Sequence, residues 1–296
     1  MKKFDYCITD PVQAYTAYHR KNLKNFLMKL FKWNNLPESI DDRFFNDSLL
    51  MRGYCVGFKY VDGKVYVTDG ALAGLDEYYR PTEFKAANIK FQNVSRKIGT
   101  DCSVCFNTDD YSEPYSFVPM IEIYAHRLAE LDVSVDTSVV NSRVCIIPVC
   151  DDDKEAIRIS KLIRDMYAGK PASIAYKASF NGKTGIEFVP IHSKDNLVVT
   201  DLADARRNIM SDFYTELGIN NLAVDKKAQT NYVEMNSNNE QLAIRKNIFL
   251  EPRQRWCEEM NEMFGTNISV EFNPDIIKEV DLNDQSMSET RVDTTA

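Results

Sequence analysis

Two stretches of helical periodicity, separated by a block of different character, constrain this chain more than any single motif. In 118–138, Ile121, Tyr124, Ala125, Leu128, Leu131 and Val135 recur at steps of three or four residues. In 201–217, Leu202, Ile209, Met210, Phe213 and Leu217 lie on one side, with Gly218 just past the end. That spacing lines apolar side chains along one helix face. The intervening block, 141–200, has strand-like runs at RVCIIPVC (143–150), ASIAYKA (172–178) and GIEFVPI (185–191). Between the first two lies a helix pattern, 151–170, with acids at its start and Gly169 at its end, as the helix dipole and the glycine C-cap favour. The last two runs are predicted to pair around Asn181-Gly182. Two antiparallel helices carrying an inserted α/β block at one end make a stalk with a head.

The flanks add α and β material. Residues 11–33 read as a helix, with Pro11 in its first turn and Leu23, Phe26, Leu27, Leu30 and Phe31 at helical spacing. A second helix is predicted over 39–50, with Ile40, Phe44, Phe45 and Leu49 inward. Residues 53–70 read as a hairpin about Asp62-Gly63, a pair preferred in tight primed turns. Residues 71–117 show no dominant period. After the last long helix, NNLAVDKKAQTNYVEMNSNNEQ (220–241) is 22 residues of polar sequence with six asparagines and no glycine or proline. Loops beyond about 12–15 residues are uncommon and usually functional or disordered. A helix over 251–264 with Pro252 in its first turn, and a strand over 267–272, follow. The expected class is α+β, rich in helix.

Charge is unevenly distributed. Residues 1–35 hold Lys2, Lys3, Arg20, Lys21, Lys24, Lys29 and Lys32 against Asp5 and Asp10, a balance of +5. The whole chain carries −8, so the remainder carries −13. An acidic body argues against tight general binding to nucleic acid, which depends on neutralising phosphates. The seven cysteines, with no apolar signal-peptide core at the start, are expected as reduced thiols. No apolar run of about 18 residues predicts a membrane span.

Short motifs offer little chemistry. Gly182-Lys183-Thr184 resembles the end of a phosphate loop, but position 177 is lysine where the loop needs glycine. Cys102 and Cys105 have zinc-ligand spacing, and Cys145 and Cys150 could be their partners, but that second pair is spaced CxxxxC on a predicted strand where structural zinc uses two close pairs, and buried thiols are expected instead. Asp151-Asp152-Asp153 reads as a helix start. His19, His126 and His192 are far apart in sequence, and no nucleophile–base pair emerges. No catalytic residue, metal or cofactor is expected.

Three longer segments carry a resemblance: LFKWNNLPESIDDRFFNDSLLMRGYCVGF (30–58), FYTELGINNLAVDKK (213–227) and SNNEQLAIRKNIFLEPRQRWCEEMNEMFGTNISVEF (237–272). In this order they resemble the portal proteins, also called head–tail connectors or upper collar proteins, of small short-tailed phages with protein-primed genomes. The resemblance implies a dodecameric ring at one vertex of the virion head, with a pore for packaging and ejecting double-stranded DNA. It implies a stem of helices (11–33, 118–140 and 201–217), an inserted α/β clip (141–200) and an α/β wing (34–117 and 242–280). It adds an N-terminal arm (1–10), a channel loop (220–241) and a flexible tail (281–296).

The same resemblance assigns residues and partners. Lys226 and Lys227 would sit on the channel loop and touch DNA; Asp201, Asp204, Arg206 and Arg207 are candidates for the channel lining, with Asp212 and Glu216 adding to an acidic wall. Lys2, Lys3, Arg20, Lys21 and Lys24 are candidates for contact with the motor or a packaging RNA. Implied partners are further copies of the chain, DNA, a separate packaging ATPase, lower collar and tail proteins, and capsid and scaffold proteins. The sequence departs from the family pattern at Asp201, where basic residues are usual, and in its arm, where only Lys2 and Lys3 precede Asp5. The rival readings are a zinc-dependent nucleic-acid enzyme built on Cys102 and Cys105, and a structural adaptor that is not a portal.

Overall fold

A computed structural model describes residues 10–141 except 87 and 92, together with 146–150, 153, 154, 157, 160, 161, 186–190, 199–219 and 232–276. The fold is α+β. Its helices are α1 (Pro11–Leu27), α2 (Asp42–Arg52), α3 (Val118–Asn141), α4 (Val199–Glu216) and α5 (Tyr232–Phe264). Its strands are β1 (Phe31–Asn34), β2 (Tyr54–Lys59), β3 (Val65–Thr68), β4 (Ala71–Leu75), β5 (Pro81–Ala86), β6 (Val94–Lys97), β7 (Cys102–Phe106), β8 (Ile146–Cys150), β9 (Ile186–Pro190) and β10 (Ser269–Phe272). The chain divides into two compact units, one of 1–15 and 126–208, the other of 16–125 and 209–296. None of the described helices is long and apolar enough to cross a membrane.

In the second unit, two antiparallel three-stranded sheets, β3-β2-β7 and β4-β5-β6, enclose Val56, Phe58, Phe84, Ala86, Phe91, Val94 and Cys102. Full burial of such a side chain is worth about 1.5–3 kcal/mol. The β2–β3 hairpin forms as predicted, but its turn is not the two-residue primed kind. Tyr60 N–H bonds to Lys64 O at 2.9 Å and Gly63 N–H to Tyr60 O at 3.0 Å, leaving a three-residue loop with Asp62 Oδ1 accepting from Lys64 N.

A second apolar centre lies where α5 crosses this β module. Trp33, Phe45 and Trp256 form an aromatic trio with centroids 4.4–5.7 Å apart. Gly57 lets α5 approach β2: a Cβ there would lie 2.6 Å from the Met260 sulfur and 2.9 Å from the Trp256 ring. Of the residues predicted inward on the second helix, Ile40, Phe45 and Leu49 are buried, while Phe44 is 41% exposed.

The first helix is shorter than its periodicity suggested. It stops at Leu27, and Phe31–Asn34 become β1, paired with β10 in the register Phe31↔Phe272. Leu30 O accepts from Asn273 N at 3.0 Å, and the rings of Phe31 and Phe272 meet at 4.9 Å. Leu30 and Phe31 are buried as expected, but as part of a two-stranded ribbon. The last helix is longer than expected: α5 begins at Tyr232, so residues 232–241 of the predicted loop are helical and Pro252 lies inside the helix. Proline cannot donate to the carbonyl four residues back; that carbonyl belongs to Ile248, itself 48% exposed.

In the first unit, β8 and β9 pair antiparallel from Ile146↔Pro190 to Cys150↔Ile186. Residues 153, 154, 157, 160 and 161 are helical, in the place predicted for a helix. The predicted strand at 172–178, its partner turn and Gly182-Lys183-Thr184 lie outside the described residues.

Candidate functional site

The polar segment after α4 leaves from a tightly built joint. Helix α4 ends in paired reverse bonds, Ile219 N–H to Tyr214 O at 2.9 Å and Gly218 N–H to Thr215 O at 3.0 Å, the double closure that a left-handed residue past a helix end allows. Gly218 has φ +73°, and a Cβ there would lie 2.8 Å from Leu242 O of α5. Leu217, Ile219, Leu242 and Phe249 are buried, and Glu216 pairs with Arg245 at 2.5 Å. The end of α4 is thus fixed onto α5 by backbone contact, apolar burial and an ion pair.

Tyr232, where α5 starts, lies 10 to 14 residues before the contact, about 15–21 Å of helix. Lys226 and Lys227, midway along 220–231 in sequence, lie outside the described residues, as do Lys2 and Lys3.

The other charged candidates are mostly engaged within the chain. In the first unit, Asp132 and Asp136 stand one turn apart on α3. Asp132 receives Arg206 from α4 at 2.5 Å, and Asp136 accepts from the Tyr15 hydroxyl of α1 at 2.7 Å. That hydrogen bond to a carboxylate raises the Tyr15 pKa. Arg207 pairs with Asp204. Asp201 is exposed on the first turn of α4.

In the second unit, Arg20 forks onto Glu122 of α3 at 2.6 and 2.7 Å, and the bond raises its pKa further. Lys24 reaches Asp47 of α2 at 2.6 Å. Lys21, Asp212 and Glu216 are exposed, the last tied to Arg245. His126 of the first unit stands 3.8 Å from Glu130.

Cys102 and Cys105 do not form a ligand pair. They lie three apart on β7, and strand residues an odd number apart face opposite sides. Cys102 points into the space between the sheets, whereas Cys105 is opposite Cys55 on β2. Burial raises the thiols of Cys102 and Cys257 to about 12 and that of Cys105 well above its ordinary value, away from the thiolate that zinc takes.

Sequence reading passed over the most deeply buried cation, Arg253. It is 2% exposed on α5, and its guanidinium lies 4.0 Å over the Phe31 ring. It donates to Phe249 O and to Asn107 Oδ1. Asn107, 0% exposed, donates in turn to Leu49 O at 2.6 Å and Tyr115 O at 2.7 Å. Among the described residues Arg253 Nε has no hydrogen-bond partner, and burial lowers the pKa to about 10. The signal was an arginine in the stripe Phe249, Arg253, Trp256, Met260, at helical spacing among apolar residues.

Comparison with known proteins places this architecture. A solved structure of the portal and tail of native bacteriophage P68 contains a chain of the same fold, with TM-score 0.52 at 20% identity over 95% of this chain and 94% of that one. The portal protein of Staphylococcus phage 44AHJD is 26% identical over 172 residues, 57% of this chain and 66%, just under two thirds, of that protein. The Phage Connector (GP10) family model matches residues 11–277, running from the start of α1 through the joint to just past β10, and the chain belongs to that family.

Proposed function

We propose that this chain is the repeating unit of a portal, a ring at the head–tail vertex of a virion through which double-stranded DNA is packaged and ejected. The observation that carries this reading is the locked α4–α5 joint, which roots a lysine-bearing segment between two fixed helices. The resemblance to a protein named as a portal and the family membership support it. In this reading α1, α3 and α4 form the stem, the 142–198 block forms the clip, and the β module with α2, β1, β10 and the later part of α5 forms the wing. The role is structural and DNA-conducting. ATP hydrolysis belongs to a separate packaging ATPase that docks on the ring, followed by tail proteins; capsid and scaffold proteins surround the wing. A packaging RNA is the further partner suited to the basic residues near the start, with Lys21 exposed and, among the described residues, outside any ion pair.

Lys226 and Lys227 act as weak phosphate contacts. If every lysine in a ring bound tightly at once, DNA would not slide, since each phosphate contact adds about one unit to the salt slope of affinity. Brief contacts against an acidic wall instead oppose outward slippage of packed DNA. The test is removal of 221–230, which spares the joint, alongside Lys226→Ala/Lys227→Ala. Rings should assemble and heads should fill, then lose DNA. Heads of both variants that keep a full genome would refute the role given to the segment.

A further inference from the structure

Resting on the ring reading, we propose that the β4–β5 hairpin tip of one subunit seats in the groove between β1 and the start of α2 of the next, as a ring-closing contact. The tip is built rigid and left uncovered. Asp76 Oδ1 accepts from Tyr78 N and Arg80 N, both at 2.8 Å, and Asp76 N–H bonds to Arg80 O at 3.0 Å. Tyr79 is held at φ 62°, a left-handed conformation that a bulky residue adopts only when its surroundings enforce it. The outcome is Tyr78 70% and Tyr79 76% exposed, with the Arg80 guanidinium 5.5 Å over the Tyr78 ring. Preorganised exposed aromatics beside an arginine are what anchors of protein interfaces are made of.

The groove has the matching chemistry. Its volume is about 700 Å³, and half-buried Trp33, Leu36 and Pro37 line it. Lys29, Lys32 and Asp42 stand exposed on its rim. Among the described residues, neither lysine makes an ion pair, and neither does Glu77 at the tip. Glu77 therefore complements Lys29 and Lys32, and Arg80 complements Asp42, while the tyrosines meet the apolar floor. Tip and groove share no residue, so the contact is head-to-tail, the kind that generates rings.

The test uses full-length chain and native mass spectrometry over a concentration series. Tyr78→Ser/Tyr79→Asn keeps a residue suited to the left-handed position and should raise the concentration for half-assembly at least tenfold with an unchanged unfolding midpoint. Glu77→Lys and Lys29→Glu/Lys32→Glu should each do the same, and the three charge changes combined should restore assembly. Variants that assemble like the parent, or a combined variant no better than its components, overturn the contact. Rings that form normally but no longer enter heads reassign the tip to a shell protein and also overturn it. A parent chain that stays a single subunit removes the ring reading itself.

Discussion

The core of the second unit and the described helices of the first are held by different physics. Around Trp256 the second unit stacks aromatic rings on a β module and buries an arginine that donates to a buried asparagine. Among the described residues of the first unit, α3 meets α4 and α1 through charged and hydroxyl groups, Arg206 on Asp132 and Tyr15 on Asp136, while Arg207 pairs with Asp204 within α4 and Leu128 and Ala129 are the buried apolar residues. Buried contacts are insensitive to salt and intolerant of substitution, whereas exposed ion pairs are screened and individually weak.

Breaking the buried side should give the largest effect. Arg253→Ala leaves Asn107 Oδ1 and the Phe249 carbonyl without their donor and opens a cavity, and is expected to cost about 2–5 kcal/mol, read as a lower urea midpoint. Arg253→Met, which fills the space without a charge, should cost far less; equal losses would mean that volume rather than polar satisfaction dominates.

Next comes Gly57→Ala. The added methyl collides with Met260 and Trp256, an overpacking cost of about 1–3 kcal/mol, and the double variant with Met260→Ala should be less than additive. Additive losses would show that α5 does not press on β2 there.

The buried thiols sharpen the comparison through pH. Cys102 and Cys257 have folded pKa values near 12 against an ordinary 9.0. The folded state therefore holds protons that the unfolded chain releases. Their contribution is complete below pH 9 and is lost as pH rises toward 12, at most about 1.4 kcal/mol per pH unit per thiol. Arg253, depressed to about 10, acts oppositely above pH 10. Unfolding free energy should fall from pH 9 to 10 and fall less in a Cys102→Ala/Cys257→Ala chain.

The smallest effect belongs to the ion-paired helices. Arg206→Ala should cost about 0.2–1 kcal/mol at low salt and almost nothing in 1 M salt. A loss that persists in high salt would put Arg206 with the buried network.

Periodicity found α3 and α4 nearly to the residue, because their apolar stripes meet partners at regular helical steps. The β2–β3 hairpin was legible in place but not in turn type: Asp62-Gly63 marks a reversal locally, while the three-residue loop follows from the pairing of Tyr60 with Lys64. The joint at Gly218 was half legible: the glycine announced a helix end, but nothing in its neighbours announced the backbone of Leu242 pressed against it. Of the charged candidates, the types were readable and the engagements were not. Arg20, Lys24 and Arg206 look alike in sequence, and only packing shows each one tied to a carboxylate on another helix.

By itself the sequence determined the α+β class, the long helices, the polar segment between the last two and, through collinear resemblance, the family. Tertiary structure alone decided that Phe31–Asn34 leave the helix to pair with Ser269–Phe272, that α5 runs through Pro252 back to Tyr232, and that Arg253 lies buried over Phe31. Local periodicity records which face of an element is apolar, whereas the strand pairing and the buried charge are fixed by partners more than a hundred residues away, and the extent of α5 by packing that its own sequence does not announce.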